Sequence, residues 1–448
     1  MQTVITNTGF DKTVSLLKEK YDLLSPDGCF FAIFRTEYDS KLNVVHDFLE
    51  LIHEADGIGY DYVTTIVYPS SESQKAAFID NVKYVVWLAK QHKSMKFNKD
   101  AIREKHIWKD VEWGKRAKNY NPKGKDPGNV WIPTLDDGHA HITEHIMLGD
   151  RGVIDRLLTM SGCGDDFELI SEPDSCPNTE KKERNRCDCG ESVRPAGEQD
   201  PVVIFKSSED MSEIPAGSVK TIVTSPPYWN LKDYFKKGQI GQEDYATYLL
   251  RMEKVWSECF ERLRPDGSLW VNINIRMHSG KLISIPYDFV RMCRKIGYSY
   301  KGILIWHKSS GIPTGKKNIV DRHEYVLVFS KSADFCVDFE AFRQIGDYKN
   351  DEINGKAFWN INRKAGSVGK KYTHPAIYPN ELVSRIVAIS SNEGDLVVDP
   401  FLGSGTTLIA SAQSGRSFVG YEYNEGFEAL MTSRFESEIP ETPVQFRR

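Results

Sequence analysis

The sequence predicts an α/β fold with a doubly wound, mostly parallel sheet, and three observations carry this prediction. From Val202 onward, short apolar runs alternate with amphipathic helical stretches, which is typical of a parallel sheet covered on both faces. The β-branched run Val219–Thr224 predicts a buried strand, and two prolines then force the chain out of the sheet. A second apolar run, Leu396–Asp399, leads into a turn of small residues and a helix.

Length and composition exclude several classes of protein. The 448 residues suffice for two or three domains, and 40% of them are apolar and 27% charged, with a formal net charge of -5. No apolar run approaches the ~20 residues of a membrane span, and no signal peptide is evident. Eight irregularly spaced cysteines favour reduced thiols, so we expect a cytoplasmic protein.

The predicted elements fall into two halves separated by a polar stretch. In residues 1–161 the predicted helices cover 16–24 and 44–55, and the predicted strands cover 29–34, 62–68 and 84–88. Residues 162–201 are polar and are predicted to be a linker. Its cysteines do not match the paired Cys-x₂-Cys spacing of zinc sites, so we predict no metal, with zinc as the open alternative; they are Cys163, Cys176, Cys187 and Cys189.

The second half alternates regularly between the two element types. Its predicted strands cover residues 219–224, 268–275, 302–306, 325–329, 396–399 and 417–421. Its predicted helices cover residues 245–263, 286–296, 380–390 and 406–414.

Four residues after the first strand combine chemistry suited to a ligand: Ser225, Pro226, Pro227 and Tyr228. They offer a hydroxyl, carbonyls without a competing backbone N–H, and an aromatic face at the carboxyl end of a strand, where open α/β sheets bind ligands. A planar heterocycle bearing an amino group fits such a loop. The alternative is a proline turn that only ends the strand.

The small-residue turn predicts a second ligand contact. Gly403 and Gly405 allow close approach of the backbone, and Thr406 is suited to cap the following helix. The turn lacks the lysine of a phosphate-binding P-loop and the third glycine of a dinucleotide site. Asp399 before the turn favours a cationic ligand, and Glu422 at the end of the next strand is placed to accept hydrogen bonds from ribose hydroxyls. A nucleoside with a positive tail, S-adenosylmethionine, fits.

Together these motifs resemble a known family. Residues 202–435 are similar to an amino-methylating DNA methyltransferase of the β arrangement, in which the catalytic motif precedes the cofactor motif. Thr-Ser-Pro-Pro-Tyr at 224–228 resembles the catalytic motif, and Asp-Pro-Phe-Leu-Gly-Ser-Gly-Thr-Thr at 399–407 resembles the cofactor loop. Segments 325–329, 358–361 and 374–379 match further landmarks, although Phe-Lys-Ser-Ser at 205–208 replaces the family's upstream Gly-Asp.

The resemblance implies a methyltransferase fold with a seven-stranded sheet and S-adenosylmethionine as cofactor. The implied cofactor-binding residues are Asp399, Pro400, Phe401, Gly403, Ser404, Gly405, Thr406, Glu422, His374 and Tyr378. The serine before Pro-Pro-Tyr resembles the motif of those family members that methylate N4 of cytosine. N6 of adenine is the alternative target. Ser225 and the Pro226 carbonyl would then hold the amine, and Tyr228 would stack on the flipped base.

The resemblance also implies duplex DNA as partner, a companion restriction endonuclease, and a prokaryotic or phage-encoded protein. Basic residues in two irregular inserts, about 307–323 and 340–372, are predicted to contact DNA: Lys308, Lys316, Lys317, Arg322, Arg363, Lys364, Lys370 and Lys371. A solvated surface is the alternative for these residues. Residues 436–448 are predicted to be a tail. Two other functional classes stay open: a non-catalytic DNA-binding subunit, and an RNA or protein methyltransferase.

Residues 1–161 repeat the middle of the second half. Residues 24–28, 58–62 and 84–90 echo residues 263–267, 296–300 and 325–331, at offsets of 239, 238 and 241. Neither motif recurs, because the catalytic loop would fall before Met1 and no Asp-Pro-Phe-x-Gly-Ser-Gly follows Ser161. We therefore predict a degenerate, non-catalytic copy that has lost both chemical ends. We expect this first half to bind DNA outside the methylated base, through a basic loop that contains Lys115, Arg116, Lys118, Lys123 and Lys125.

Overall fold

The computed structural model describes most of both halves of the chain. The residues it describes are 2–6, 8–69, 82–103, 123, 126–131, 135–136, 139–140, 150–162, 166–171, 200–231, 236–308, 318–332, 335–339, 341, 345, 358–362, 367–368, 372–373 and 378–448.

The first half builds a sheet in the order β5-β6-β2-β1-β9. The strands of this half are β1 (Gln2–Thr6), β2 (Cys29–Phe34), β3 (Glu37–Tyr38), β4 (Val44–His46), β5 (Asp61–Pro69), β6 (Val82–Ala89), β7 (Leu135–Asp136), β8 (His139–Ala140) and β9 (Phe167–Ser171). The helices are α1 (Phe10–Leu23), α2 (Phe48–Ile58) and α3 (Asp150–Ser161), with a 3₁₀ turn at Lys99–Ile102.

The second half builds a larger sheet. Its strands are β10 (Val202–Ile204), β11 (Val219–Thr224), β12 (Leu263–Ile273), β13 (Arg276–His278), β14 (Lys281–Ile283), β15 (Ser299–His307), β16 (His323–Ser330), β17 (Phe358–Asn360), β18 (Ser367–Val368), β19 (Tyr372–Thr373), β20 (Leu396–Asp399), β21 (Ser417–Tyr421) and β22 (Gln445–Arg447). Its helices are α4 (Tyr245–Arg262), α5 (Ile285–Ile296), α6 (Asn380–Ser390), α7 (Thr406–Gln413) and α8 (Glu428–Glu438), with a 3₁₀ turn at Glu425–Phe427.

The sheet of the second half confirms the predicted α/β fold with a mostly parallel sheet. Its strand order is β17-β15-β16-β12-β11-β20-β21-β10-β22. The expected seven strands run from β15 to β10, and the short strands β17 and β22 extend the two edges. Strand β16 is antiparallel to both of its neighbours, whereas β11, β20, β21 and β10 pair in parallel.

Several predicted boundaries were wrong, for reasons that the packing explains. Predicted helix 44–55 is divided: β4 ends at His46, and α2 begins after Asp47, whose carboxylate accepts hydrogen bonds from the backbone N–H groups of Leu49 and Glu50 at 3.0 and 3.2 Å. The predicted linker contains β9, which pairs with β1, and the predicted tail contains β22, which pairs with β10. Both segments therefore belong to sheets.

Corresponding strands of the two halves pair in the same register. The first sheet repeats the order β15-β16-β12-β11-β20, and both copies carry a bulge at the same place, between Tyr62 and Thr64 and between Tyr300 and Gly302. Strands β1 and β9 occupy the positions of β11 and β20, so the first half retains the strands at its two ends. The prediction that the counterpart of the catalytic loop would fall before Met1 is therefore wrong, because that counterpart is the loop after β1. The motif residues themselves are absent from the first half.

The two halves share one hydrophobic core that contains buried side chains from both. The rings of Phe48 and Tyr325 lie 5.3 Å apart across the contact. Two hydrogen bonds also join the halves. The Tyr300 hydroxyl donates to Asp47 Oδ2 at 2.8 Å, and Lys301 Nζ donates to Asn43 Oδ1 at 2.8 Å. Burial raises the pKa of Asp47. The first half is thus packed against the second half and not tethered to it loosely.

The described cysteines and helices test two expectations from composition. Cys29, Cys259 and Cys293 are buried thiols outside any disulfide, as expected. Cys336 is disulfide-bonded, which departs from the prediction of reduced thiols throughout. None of the helices in the described ranges is long and apolar enough to cross a membrane.

Candidate active site

Two loops meet where adjacent parallel strands end. Strands β11 and β20 pair side by side, with Thr221 opposite Val397 and Ile222 opposite Val398. Because both strands run in the same direction, their carboxyl ends lie at one edge of the sheet. The Ser-Pro-Pro-Tyr loop leaves from the first strand and the glycine-containing turn leaves from the second.

The glycine-containing turn requires its glycines. Gly403 and Gly405 have φ of 55° and 84°, in the left-handed region that disfavours other residues. A Cβ at Gly405 would lie 2.6 Å from Cε1 of Phe435, so no side chain fits there without movement. Gly405 itself is the N-cap of α7, and the prediction that Thr406 caps this helix is therefore wrong. Thr406 Oγ1 instead accepts a hydrogen bond from Arg434 at 3.0 Å.

Asp399 lies beneath the turn and holds it. Its Oδ2 accepts hydrogen bonds from the hydroxyls of Thr407 and Tyr378 at 2.6 and 3.0 Å, and its Oδ1 accepts one from the Phe401 N–H at 2.9 Å. The side chain is fully buried, and this burial raises the pKa of Asp399 although the hydrogen bonds oppose the shift. Asp399 does not line the cleft described below, so we assign it to positioning the turn.

Glu422 joins the turn to the next loop. Its Oε2 accepts a hydrogen bond from Gly403 N at 2.8 Å, and its Oε1 accepts one from Asn424 N at 2.7 Å. Burial raises the pKa of Glu422 to about 7, which the two backbone hydrogen bonds only partly offset. The carboxyl therefore changes charge near neutral pH, at a position where a ligand could meet it.

A cleft with about 810 Å³ of empty space, partly open to solvent, runs between the loops. The predicted site residues in its wall are Ser225, Pro227, Tyr378, Pro400, Phe401, Gly403, Ser404 and Glu422. Residues that the sequence did not single out also line it: Gln239, Ile240, Arg251, Leu402, Tyr421, Tyr423 and Asn424. Lys206, Ser207 and Ser208 complete the wall. These three residues lie where the resembled family carries Gly-Asp. Their position directly after β10 is the feature of the sequence that could have identified them as part of the cleft.

Neighbouring side chains hold the Ser-Pro-Pro-Tyr loop in shape. The Tyr248 hydroxyl donates to the Pro227 carbonyl at 2.8 Å, and the Arg276 guanidinium donates to the Tyr228 carbonyl at 3.1 Å and to the carbonyls of the next two residues. Pro226 is buried and lies outside the cleft wall, whereas Ser225 and Pro227 face the cleft. The loop is thus fixed through its carbonyls.

Sequence reasoning missed the polar cluster around Tyr228. The Tyr228 hydroxyl donates to Glu324 Oε2 at 3.0 Å, and Asn272 Nδ2 donates to the same oxygen at 2.9 Å. Asn272 Nδ2 also lies 3.5 Å from Ser225 Oγ, which links the hydroxyls of Ser225 and Tyr228. Asn272 and Glu324 lie on β12 and β16, and their polar side chains next to the end of β11 were the signal.

Two of the predicted DNA contacts are buried. Lys308 forms an ion pair with Glu324 at 3.0 Å and its side chain is 2% exposed, and the Arg322 side chain is buried against the first half, where it donates to the Asp126 carbonyl at 2.8 Å. Both cations therefore form contacts inside the protein, and their predicted assignment to DNA contact is wrong. The other DNA contacts predicted in the second half lie outside the described residues, as do His374 and the four linker cysteines. Of the basic loop predicted in the first half, only Lys123 is among the described residues, and its Nζ forms an ion pair with Asp100 at 2.5 Å. The described part of the chain contains no group of three potential metal ligands.

Comparison with known proteins gives consistent matches. The sequence profile of a family described as DNA methylase (N6_N4_Mtase) matches residues 7–188 and 219–433. Type II methyltransferase M.Cfr9I of Citrobacter freundii is 32% identical over 261 residues, which are 51% of this chain and 85% of that protein. DNA adenine methyltransferase YhdJ of Escherichia coli (strain K12) is 27% identical over 255 residues, which are 53% of this chain and 83% of that protein.

Among solved structures, a putative DNA modification methylase from Thermus thermophilus, complexed with S-adenosyl-L-methionine, is 29% identical. The match covers 55% of this chain and 100% of that one, with a TM-score of 0.43.

Proposed function

The chain belongs to the N6_N4_Mtase family of DNA methylases, and we propose that within this family it transfers a methyl group from S-adenosylmethionine to N4 of cytosine in duplex DNA. One observation carries the proposal: Ser225 and Pro227 of the first loop line the same cleft as residues 400–404 of the glycine-containing turn, with Tyr228 next to this wall in sequence but outside it. A methyl donor and an acceptor amine must lie in contact for transfer, and a cleft between the two loops permits this.

The cleft fits S-adenosylmethionine. Gly403 brings backbone to the cleft wall, Phe401 and Tyr378 supply aromatic surface, and Glu422 offers a carboxylate for ribose hydroxyls. S-adenosylmethionine supplies an electrophilic methyl group on a positively charged sulfur. The titration of Glu422 near neutral pH predicts that its ionised form binds the ribose more strongly.

The catalytic loop orients the acceptor. Ser225 Oγ, which faces the cleft, accepts a hydrogen bond from the exocyclic amine and turns the nitrogen lone pair toward the methyl group. The Pro226 carbonyl, predicted as a second acceptor, belongs to a residue outside the cleft wall. Tyr228 provides a face for stacking a base that has left the duplex. Its hydroxyl points away into the cluster of Glu324 and Asn272, so its ring is the part available to the base.

The identity of the base is the finer part of the proposal. Ser at the first position of Ser-Pro-Pro-Tyr supports cytosine, and similarity to a protein named DNA adenine methyltransferase supports adenine as the second candidate. Incubation of the full chain with S-adenosylmethionine and duplex DNA, followed by nucleoside mass spectrometry, separates them. We expect N4-methylcytosine; N6-methyladenine alone would refute cytosine.

The same assay tests the reaction class. Binding of S-adenosylmethionine without transfer to DNA would favour a non-catalytic subunit. Transfer to RNA or protein in preference to duplex DNA would favour the third class. Because several relatives are named type II methyltransferases, we further propose a cytoplasmic protein that protects host DNA against a companion restriction endonuclease.

DNA contact is proposed for basic residues in both halves: Lys316, Lys317, Arg363, Lys364, Lys370 and Lys371 in the second, and Lys115, Arg116, Lys118, Lys123 and Lys125 in the first. Removing a cation that binds a DNA phosphate should weaken DNA binding and reduce its salt dependence. Glutamine substitutions in each group, measured by DNA binding at two salt concentrations, test the groups separately. An unchanged salt dependence for the first-half group would remove the DNA role from that half.

A further inference from the structure

The Tyr228 ring is oriented by a buried polar cluster that contains a full ion pair. Glu324 accepts hydrogen bonds from the Tyr228 hydroxyl at 3.0 Å and from Asn272 Nδ2 at 2.9 Å through one oxygen, and it pairs with Lys308 Nζ at 3.0 Å through the other. Asn272 Nδ2 also donates to the Tyr228 hydroxyl at 3.2 Å. The Glu324 carboxylate is only partly exposed and accepts three hydrogen bonds, which restrict its position, so it sets the direction of the tyrosine.

The segment that leads to Glu324 is held by the first half of the chain. Residues 127–129 run parallel to it, with Gly128 opposite Val320. Val320 N donates to the Pro127 carbonyl at 2.8 Å, and Asn129 N donates to the Val320 carbonyl at 3.1 Å. Ile319 is 2% exposed and packs in a hydrophobic cluster otherwise formed by first-half residues.

Side chains reinforce this backbone contact. Asn129 is 1% exposed, and its Oδ1 accepts a hydrogen bond from Arg322 N at 2.9 Å while its Nδ2 donates to Asp321 Oδ1 at 3.1 Å. The Arg322 carbonyl in turn accepts a hydrogen bond from Lys308 N at 2.7 Å. Both charged residues of the cluster, Lys308 and Glu324, therefore adjoin backbone that Asn129 fixes.

We propose that residues 127–129 of the first half act as a positioning element for Tyr228, by fixing the 319–324 segment on which the Glu324 cluster depends. The proposal rests on the proposed function, because it assumes that Tyr228 holds the target base. It gives the first half a part in the transfer step that does not require any contact of that half with DNA. Movement of Glu324 by a fraction of an ångström would turn the Tyr228 ring and misalign a stacked base.

Gly128→Ala tests the proposal in the full chain. A Cβ at Gly128 would lie 2.6 Å from Cδ and 2.8 Å from Nε of Arg322, so the buried arginine side chain must shift, and we expect this to disturb the segment that carries it. Gly57→Ala is the matched control in the same half, because a Cβ there meets nothing within 4 Å. We expect Gly128→Ala to lower kcat for methyl transfer about tenfold with unchanged affinity for S-adenosylmethionine, and Gly57→Ala to leave both unchanged.

A double-mutant cycle separates positioning from general loss of structure. Tyr228→Phe removes the hydroxyl that Glu324 holds, so Gly128→Ala should have little further effect on kcat in that background. General destabilisation would lower activity equally in both backgrounds and would overturn the proposal. If Gly128→Ala does not fold, Asn129→Ala replaces it in the same cycle, since it removes the bonds to Asp321 and Arg322 without adding bulk.

The outcomes distinguish the inference from the function on which it rests. A wild-type kcat for Gly128→Ala or Asn129→Ala overturns the inference and leaves the methyltransferase assignment intact. A wild-type chain that binds S-adenosylmethionine but methylates no DNA overturns both.

Discussion

The two halves of this chain share a scaffold and differ at the residues that would carry chemistry. The Tyr60 hydroxyl donates to the Leu17 carbonyl at 3.0 Å, and the equivalent Tyr298 hydroxyl donates to the Trp256 carbonyl at 2.9 Å. The equivalent tryptophans, Trp131 and Trp359, each lie beneath an arginine, at 4.9 and 5.7 Å. The repeat therefore extends to single hydrogen bonds in the interior.

The residues around Tyr228 show the opposite. By strand register, Ile33 stands in the first half where Asn272 stands in the second, and Lys83 stands where Glu324 stands. Lys83 forms an ion pair with Asp150 at 2.6 Å. The two sheets therefore agree in strand register and differ in the polar side chains at these positions. We interpret the first half as a scaffold with a positioning role.

The largest expected effect comes from removing the aromatic ring of Tyr228, which the polar side chains missing from the first half hold in place in the second. Tyr228→Ala should lower methyl transfer about 100-fold with near-normal affinity for S-adenosylmethionine, because the base loses its stacking face. Thr8→Ala, in the loop that follows β1 of the first half, is the control and should leave transfer unchanged. Equal losses in both variants, measured by steady-state kinetics, would mean that chemistry is not confined to the second half.

The glycine-containing turn is the second difference between the halves. Gly405→Ala should weaken binding of S-adenosylmethionine at least about tenfold by calorimetry, since the new Cβ meets Phe435 and moves the turn. Gly394→Ala is the matched control: both glycines have φ of 84°, but a Cβ at Gly394 meets nothing within 4 Å. Equal weakening in the two variants would assign the effect to backbone strain and not to the cleft.

Because the two halves share a scaffold, the same substitution at equivalent positions should lower the free energy of unfolding by the same amount. Tyr60→Phe and Tyr298→Phe each remove one buried hydrogen bond to a helix carbonyl and should each lower the free energy of unfolding by about 1 kcal/mol. Methyl transfer at low temperature should not change in either variant. Because the halves share one core, denaturant should reveal a single transition for both; two separate transitions would contradict a common core.

The smallest expected effect concerns pH. Glu422, whose pKa is raised to about 7, is ionised above that value, so the affinity for S-adenosylmethionine should increase about fivefold from pH 6 to pH 8. Glu422→Gln carries no charge at either pH and should show no such increase. The same increase in the variant would exclude Glu422 as the titrating group.

Much of this arrangement could be predicted from the sequence, because hydrophobic periodicity fixes which face of each strand is buried. The offsets at Gly28 and Tyr84 matched the observed register for the same reason. Lys308 and Arg322 could not be placed correctly, since charged residues in a basic stretch are usually exposed and only the tertiary contact shows their partners. Asn272 and Glu324 escaped notice because their role depends on three strands meeting in space.

The strand bulge that both halves share determines which side chains of the second half contact the first half. In a regular strand consecutive side chains point to opposite faces, yet the consecutive residues Tyr300 and Lys301, at the bulge, bond to Asp47 and Asn43 of the first half. The extra residue at the bulge permits this. The same bulge in the first half leaves Val63 in a hydrophobic cluster. The same irregularity is thus present in both halves, but only in the second half does it place two consecutive polar side chains against the other half.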